Sequence, residues 1–211
     1  AYPITPQTHI VEHLSELVAN GELDAEFFCV ESEHSALSVC VGSEATGARS
    51  FTCTSAQGLA LMSEITYIAS GLRLPIVMII SNRTLSAPLS IWNDHSDAMA
   101  QRDAGWIQLY VETVQEAYDR TIQAFRIAED RDVRLPVMVN YDGVALSHTY
   151  APVSTLTDEA VHSFCPHSSP AFKLDPKHPI SMGGLASPKY YYEARYQTAQ
   201  ALQDSMAVIN Q

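Results

Sequence analysis

Glu33 is the side chain around which chemistry can be read into this sequence. It follows a short apolar run, Phe27-Phe28-Cys29-Val30, and the pair Glu31-Ser32. It opens a long series of small residues: Ser35, Ala36, Ser38, Cys40, Gly42, Ser43, Ala45 and Gly47. The apolar run is too short for a buried helix and rich in strand formers, so the stretch predicts strand, turn and helix in succession. A helix of small residues lets another backbone or a flat ligand lie close. In an open parallel sheet, ligands bind beyond the carboxyl ends of the strands, which is where this reading puts Glu33. A carboxylate at a helix N-terminus also suits the helix dipole. On this stretch alone, a first-turn glutamate that serves only its helix is the simpler account.

Other chemistry is thinly signalled. His9-Ile10-Val11-Glu12-His13 matches the inverted zinc-protease pattern H-x-x-E-H, which would set two histidines on one helix face. No third ligand has a fitting context, so solvated helix-face histidines are the better reading. The four cysteines, Cys29, Cys40, Cys53 and Cys165, form no C-x-x-C pair. Their spacing supports neither zinc nor an iron–sulfur cluster. Three of them fall in expected core elements, where a free thiol acts as a small hydrophobe, and a reducing, cytoplasmic setting follows. The sequence contains no G-x-G-x-x-G, no P-loop and no G-x-S-x-G elbow. A phosphorylated cofactor would therefore need its phosphates held by another chain or domain.

The elements that would position these residues alternate. Thr5-Pro6 reads as N-cap and first helical position. A stripe of Ile10, Val11, Leu14, Leu17 and Val18 then runs to Gly21. Arg49 to Thr54 reads as a strand, Ser55-Ala56-Gln57-Gly58 as a tight turn, and Leu59 to Ala69 as a helix ended by Gly71. Pro75 to Ser81 is a continuous apolar run, the mark of a central parallel strand covered on both faces. Asn82 to Gly105 is long and irregular, a length at which loops are usually functional or disordered, and its tryptophan and charged residues favour function. Trp106 to Val111 is a strand, Thr113 caps a helix to about Glu129, and Leu135 to Asn140 is a further strand. The alternation predicts an α/β fold, a doubly wound, mostly parallel sheet with helices on both faces. This domain would span 1–148. Residues 149–211, punctuated by Pro152, Pro166, Pro170, Pro176, Pro179 and Pro188, read as a linker or extended C-terminal arm ending in a helix over Lys189 to Ile209.

Composition agrees. The 211 residues are 46% hydrophobic, enough for one α/β domain plus a tail. A net charge of -12, with only 12 basic residues and no basic cluster, argues against nucleic acid. No apolar run is long enough to span a membrane. The opening Ala1-Tyr2-Pro3-Ile4, with no initiator Met and no signal peptide, reads as the interior of something longer.

Five stretches together carry a family resemblance. They are Tyr2-Pro3-Ile4-Thr5-Pro6; Glu31-Ser32-Glu33 with its small-residue helix; Thr54-Ser55-Ala56-Gln57-Gly58-Leu59; Asn82-Arg83; and Ile91 to Arg102, including Asp94-His95-Ser96-Asp97. The chain resembles the alpha subunits of pyruvate:ferredoxin oxidoreductases (pyruvate synthases), within the 2-oxoacid:acceptor oxidoreductases. The resemblance runs to about Asn140 and is weaker around Met182-Gly183-Gly184-Leu185. It implies a thiamine diphosphate enzyme of anaerobic metabolism whose site lies between subunits, with this chain as the pyrimidine-binding domain. The beta subunit would hold the diphosphate, its Mg²⁺ and a [4Fe-4S] cluster; gamma and delta subunits, or equivalent domains, would carry further clusters toward ferredoxin.

By this resemblance Glu33 is catalytic. It would hydrogen-bond the far nitrogen of the aminopyrimidine and favour the imino tautomer that removes the C2 proton, a role that needs a water-poor setting. Arg83 and Thr5 would grip the substrate carboxylate, Arg83 with its planar fork and Thr5 from a helix start. Gln57 and Asn82 would line the cofactor or substrate pocket, with ordinary turn chemistry an equal alternative. Asp94 and His95 would shape the loop or a subunit contact. The implied reaction is reversible oxidative decarboxylation of pyruvate with coenzyme A to acetyl-CoA and CO₂. Other 2-oxoacids, such as 2-oxoglutarate or oxalate, and a non-catalytic small-molecule module remain as alternatives.

Overall fold

The structure is a computed structural model that describes residues 1–167, 170 and 172–211. Four parallel strands form one sheet in the order β1-β2-β4-β3: β1 Phe51–Thr54, β2 Val77–Asn82, β3 Ile107–Val111 and β4 Val137–Asp142. The apolar run Pro75 to Ser81 gives the inner strand β2, in register with β1 through Phe51↔Val77 and with β4 through Val77↔Val137. Successive side chains of a strand face opposite sides of a sheet. Met78, Ile80 and Met138 thus enter one core with Leu37, Leu59, Met62 and Ile65, while Val77, Val137 and Val139 enter another with Ala124, Ile127 and Ala201. Helices α2 Glu33–Ala45, α3 Ala56–Leu61 and α4 Ser63–Gly71 supply the first layer; α6 Val114–Ala128 and α8 Pro188–Ile209 supply the second. The expected doubly wound α/β architecture is present.

Local signals explain most of the boundaries. Thr113 caps α6 by accepting from Glu116 N at 3.1 Å, and Glu116 Oε2 reaches back to Glu112 N at 2.8 Å. Ser32, with extended backbone, caps α2 by accepting from Ser35 N at 3.3 Å. The long segment after β2 holds one short helix, α5 Ser96–Met99, and Asp94 Oδ1 accepts from Ser96 N at 2.6 Å just before it.

Several expectations are corrected. Phe27 to Val30 is not a strand of the sheet. The segment runs beside the N-terminus, where Val30 N donates to Ala1 O at 3.2 Å and the Ala1 amine to Phe28 O. Phe28 is 55% exposed and Cys29 is exposed too, and only Val30 of this apolar run packs against the core. The first helix, α1 Thr8–Ala19, starts beyond Thr5-Pro6. A turn closed by Gln7 N on Ile4 O at 3.0 Å precedes it, and the Thr5 carbonyl is committed to Arg83 instead. Ser55 to Gly58 is no free turn but the start of α3, and the helix read from Leu59 is two, meeting at Met62.

The proline-rich stretch lies against the chain's own surface. Gln115 pairs with the Ser154 backbone, donating at 3.1 Å and accepting at 2.7 Å, and Leu156 N donates to Tyr118 Oη at 3.0 Å. A short helix missed in the sequence, α7 Asp158–Phe164, is capped by Thr157. Arg49 holds Glu129 through two hydrogen bonds of 2.5 and 2.7 Å and also donates to Cys165 O at 3.3 Å. Leu174 N donates to Ala45 O at 2.7 Å, at the end of α2.

Candidate active site

Glu33 is the first residue of α2, behind the Ser32 cap, and is buried at 7% exposure. The start of α3 packs against it. A Cβ added at Gly58 would lie 2.7 Å from Glu33 Oε1, 2.8 Å from its Cγ and 2.3 Å from Thr54 Oγ1. Only glycine lets this carboxyl, the last residue of β1 and the first turn of α3 share one space. The buried Thr54 hydroxyl finds no hydrogen-bond partner among the described residues. Buried polar atoms are paired in the great majority of cases, so an unpaired hydroxyl beside a buried carboxyl is spare polar capacity.

One residue along α3, Gln57 serves a second group. Its Oε1 accepts from Arg83 Nη1 at 3.2 Å, while Arg83 Nε donates to Thr5 O at 2.9 Å. Arg83 directly follows β2 and is 6% exposed. Burial pushes its guanidinium below the ordinary arginine range, and the Asp97 carboxylate opposes that. Nε and Nη1 are thus occupied, while Nη2 has no protein partner among the described residues. Thr5 is exposed beside this guanidinium. A positively charged fork held at two nitrogens, with a hydroxyl-bearing residue next to it, is chemistry suited to a carboxylate.

Asp97 joins these parts. It lies in α5 at 2% exposure and accepts four hydrogen bonds. Its Oδ2 takes Ala56 N at 3.0 Å and Arg83 N at 3.3 Å; its Oδ1 takes Asn82 Nδ2 at 2.8 Å and Ala98 N at 2.7 Å. Burial raises this carboxyl above the usual aspartate range, and the four donors pull against the rise. Ala56 has φ +35°, a conformation non-glycine residues seldom adopt. Asn82 is fully buried, its amide also donating to Asn140 Oδ1 at 3.2 Å and its own Oδ1 left without a partner among the described residues.

The structure therefore brings Glu33, Gln57, Arg83 and Thr5 to one end of the sheet, with Asn82 in the layer beneath. Gly58, Thr54 and Asp97 carried no role in the sequence. Gly58 was read only as part of a tight turn, and nothing in the sequence marked its closeness to Glu33. His95 is elsewhere: its Nε2 lies 3.1 Å from Asp142 Oδ1, beside Tyr110, in an open cleft of about 610 Å³ at the ends of β3 and β4. That cleft includes neither Glu33 nor Arg83. His9 and His13 face solvent beside Glu12 and Glu16, with 76% and 72% of their side chains exposed. No cluster of three potential metal ligands occurs among the described residues.

Comparison with known proteins fits this geometry. The family model described as "Pyruvate flavodoxin/ferredoxin oxidoreductase, thiamine diP-bdg" matches residues 1–211. The chain belongs to this family. It is 57% identical over 210 residues to pyruvate synthase subunit PorA of Methanocaldococcus jannaschii, covering 99% of this chain and 54% of that protein. It is 50% identical over 210 residues to ketoisovalerate oxidoreductase subunit VorA of Pyrococcus abyssi, covering 99% of this chain and 53% of that protein. The chain thus spans about half the length of the curated relatives it matches. In fold it is similar to a 2-oxoglutarate:ferredoxin oxidoreductase from Magnetococcus marinus, with a TM-score of 0.68 at 20% identity, over 96% of this chain and 41% of that one.

The residues present fit the pyrimidine end of thiamine diphosphate, the group this family binds. Glu33 is a buried carboxyl, Gly58 keeps its surroundings free of a side chain, and the Thr54 hydroxyl is unpaired. The sequence contains neither G-x-G-x-x-G nor a P-loop to cradle the diphosphate. No helix among the described residues is long and apolar enough to cross a membrane.

Proposed function

We propose that this chain is the pyrimidine-binding part of a thiamine diphosphate-dependent 2-oxoacid oxidoreductase that converts pyruvate and coenzyme A to acetyl-CoA and CO₂, reversibly, with electrons passing to ferredoxin. The observation that carries the reading is Glu33, buried at a helix start against Gly58, with the anchored guanidinium of Arg83 held from the adjacent Gln57. When bound, thiamine diphosphate supplies a nucleophilic carbon and a sink for the electron pair released by decarboxylation. Glu33 holds a proton at the pyrimidine nitrogen and sets the tautomer of the ring. Arg83 Nη2 and the Thr5 hydroxyl orient the substrate carboxylate, and Gln57 keeps the guanidinium in plane. Asn82 acts from beneath, through its bond to Asp97.

A beta subunit holds the diphosphate with Mg²⁺ and a [4Fe-4S] cluster, which accounts for the missing phosphate cradle. Gamma and delta subunits, or domains equivalent to them, complete the route to ferredoxin in the cytoplasm. The 50% identity to a ketoisovalerate oxidoreductase subunit favours a second reading, the same chemistry on a bulkier 2-oxoacid. Initial rates on a panel of 2-oxoacids separate the two.

Glu33→Gln in the native complex tests the assignment. Exchange of the C2 proton should slow by roughly 10²–10⁴-fold, the range of a lost acid–base group. Assembly and cofactor binding should persist. Exchange at the unaltered rate would remove Glu33 from the mechanism.

A further inference from the structure

We propose that Asp97 is a positioning residue for the substrate carboxylate: through one oxygen it fixes the two backbones from which Arg83 and its orienting partner Gln57 arise. This rests on the reading of Arg83 as the carboxylate grip. Asp97 Oδ2 accepts from Arg83 N at 3.3 Å and from Ala56 N at 3.0 Å. Gln57 follows Ala56 directly, and its Oε1 accepts from Arg83 Nη1 at 3.2 Å. The guanidinium is therefore set twice by the same side chain, once through its own main chain and once through the start of α3. The remaining oxygen takes Asn82 Nδ2 at 2.8 Å and Ala98 N at 2.7 Å, so both oxygens are held and the carboxylate cannot turn.

The arrangement demands a carboxylate in particular. All four partners are donors, and an ionised carboxylate is acceptor only. An asparagine has the same shape but carries an NH₂ group on one side. Whichever way its amide turned, that NH₂ would meet two donors: Arg83 N and Ala56 N, or Asn82 Nδ2 and Ala98 N. Either outcome pushes apart groups that now converge.

Asp97→Asn, Asp97→Glu and Arg83→Lys in the native complex test this. For each, KM and kcat for pyruvate and KM for coenzyme A are measured, with calorimetry of the complex binding oxamate, a non-reacting carboxylate. For Asp97→Asn we expect pyruvate KM and the oxamate dissociation constant to rise at least tenfold, with coenzyme A KM within about threefold of wild type. Asp97→Glu keeps every acceptor and should fall between the two; it decides the question alone if the asparagine variant does not assemble. A purely structural role would lower the yield of active complex and kcat while leaving pyruvate KM and oxamate binding unchanged, and that result overturns the proposal. If Arg83→Lys weakens oxamate binding and the Asp97 variants do not, the positioning role alone falls. If Arg83→Lys also binds oxamate normally, the grip itself is wrong.

Discussion

Replacing Gly58 with alanine would put a methyl group where three atoms already are. Its Cβ would lie 2.3 Å from Thr54 Oγ1, 2.7 Å from Glu33 Oε1 and 2.8 Å from Glu33 Cγ. Each contact must open by roughly 0.7–1.7 Å to reach ordinary van der Waals separation. Thr54 is in β1 with no exposed surface, so it yields little and the Glu33 side chain must move. Overpacking costs about 1–3 kcal/mol. Alanine returns about 1 kcal/mol of helix propensity within α3. The net destabilisation is then about 0–2 kcal/mol, a fall in Tm of up to about 8 °C. Activity should respond far more strongly, because a displacement of about 1 Å at an aligned group costs on the order of 10²-fold. The assays are C2 proton exchange and kcat/KM on the native complex, beside calorimetric Tm. Gly71→Ala is the control, since a Cβ there meets nothing within 4 Å. Wild-type exchange in Gly58→Ala would refute the reasoning, for it would mean that the carboxyl can leave its place without consequence.

Two further outcomes follow. Glu44 is buried, accepts from Ser50 N at 2.7 Å, and is pushed up to about 7, first by burial and then by the neighbouring Glu129, against Ser50 N, Arg134 and Arg49. Its native form keeps a proton that the unfolded chain loses near its usual 4.5, so stability should fall as pH rises from about 4.5 to 7 and level off above. Glu44→Gln should flatten that slope and raise stability at pH 8 by up to about 3 kcal/mol; an unchanged Tm–pH curve would refute it. Gly58→Ala and Asp97→Asn both act on the start of α3, so their effects on kcat/KM should be non-additive by about 0.5–3 kcal/mol in a double-mutant cycle. Simple additivity would separate the two sites.

What the sequence made legible is what residue type alone encodes. The run Pro75 to Ser81 reads as a central strand because a strand covered on both faces has no polar face to confuse it. Thr113 reads as a helix start because its side chain performs the capping. Glu33 could be singled out as a charged group at an element end and Arg83 through the family resemblance, and both prove buried. Phe27 to Val30 misled because its apolar side chains promised a ladder, whereas its backbone pairs with Ala1 outside the sheet. Asp97 escaped for a different reason. Three of its four donors are backbone N–H groups, which nearly every residue carries, and Ala56 and Arg83 lie 41 and 14 positions away. No residue type marks such a partner.

The same limit hides a turn that joins several parts of the site. Ala56 N binds Asp97, Gln57 Oε1 binds Arg83, and Gly58 admits Glu33. Three consecutive residues, read from sequence as a simple turn, thus hold three separate charged side chains. Glu33 and Arg83 arise from different elements, 50 positions apart in sequence, yet both are registered against one turn of α3. Movement of that turn must therefore reach both the Glu33 carboxyl and the Arg83 guanidinium, which under the proposed function ties alignment of the substrate to the placement of Glu33.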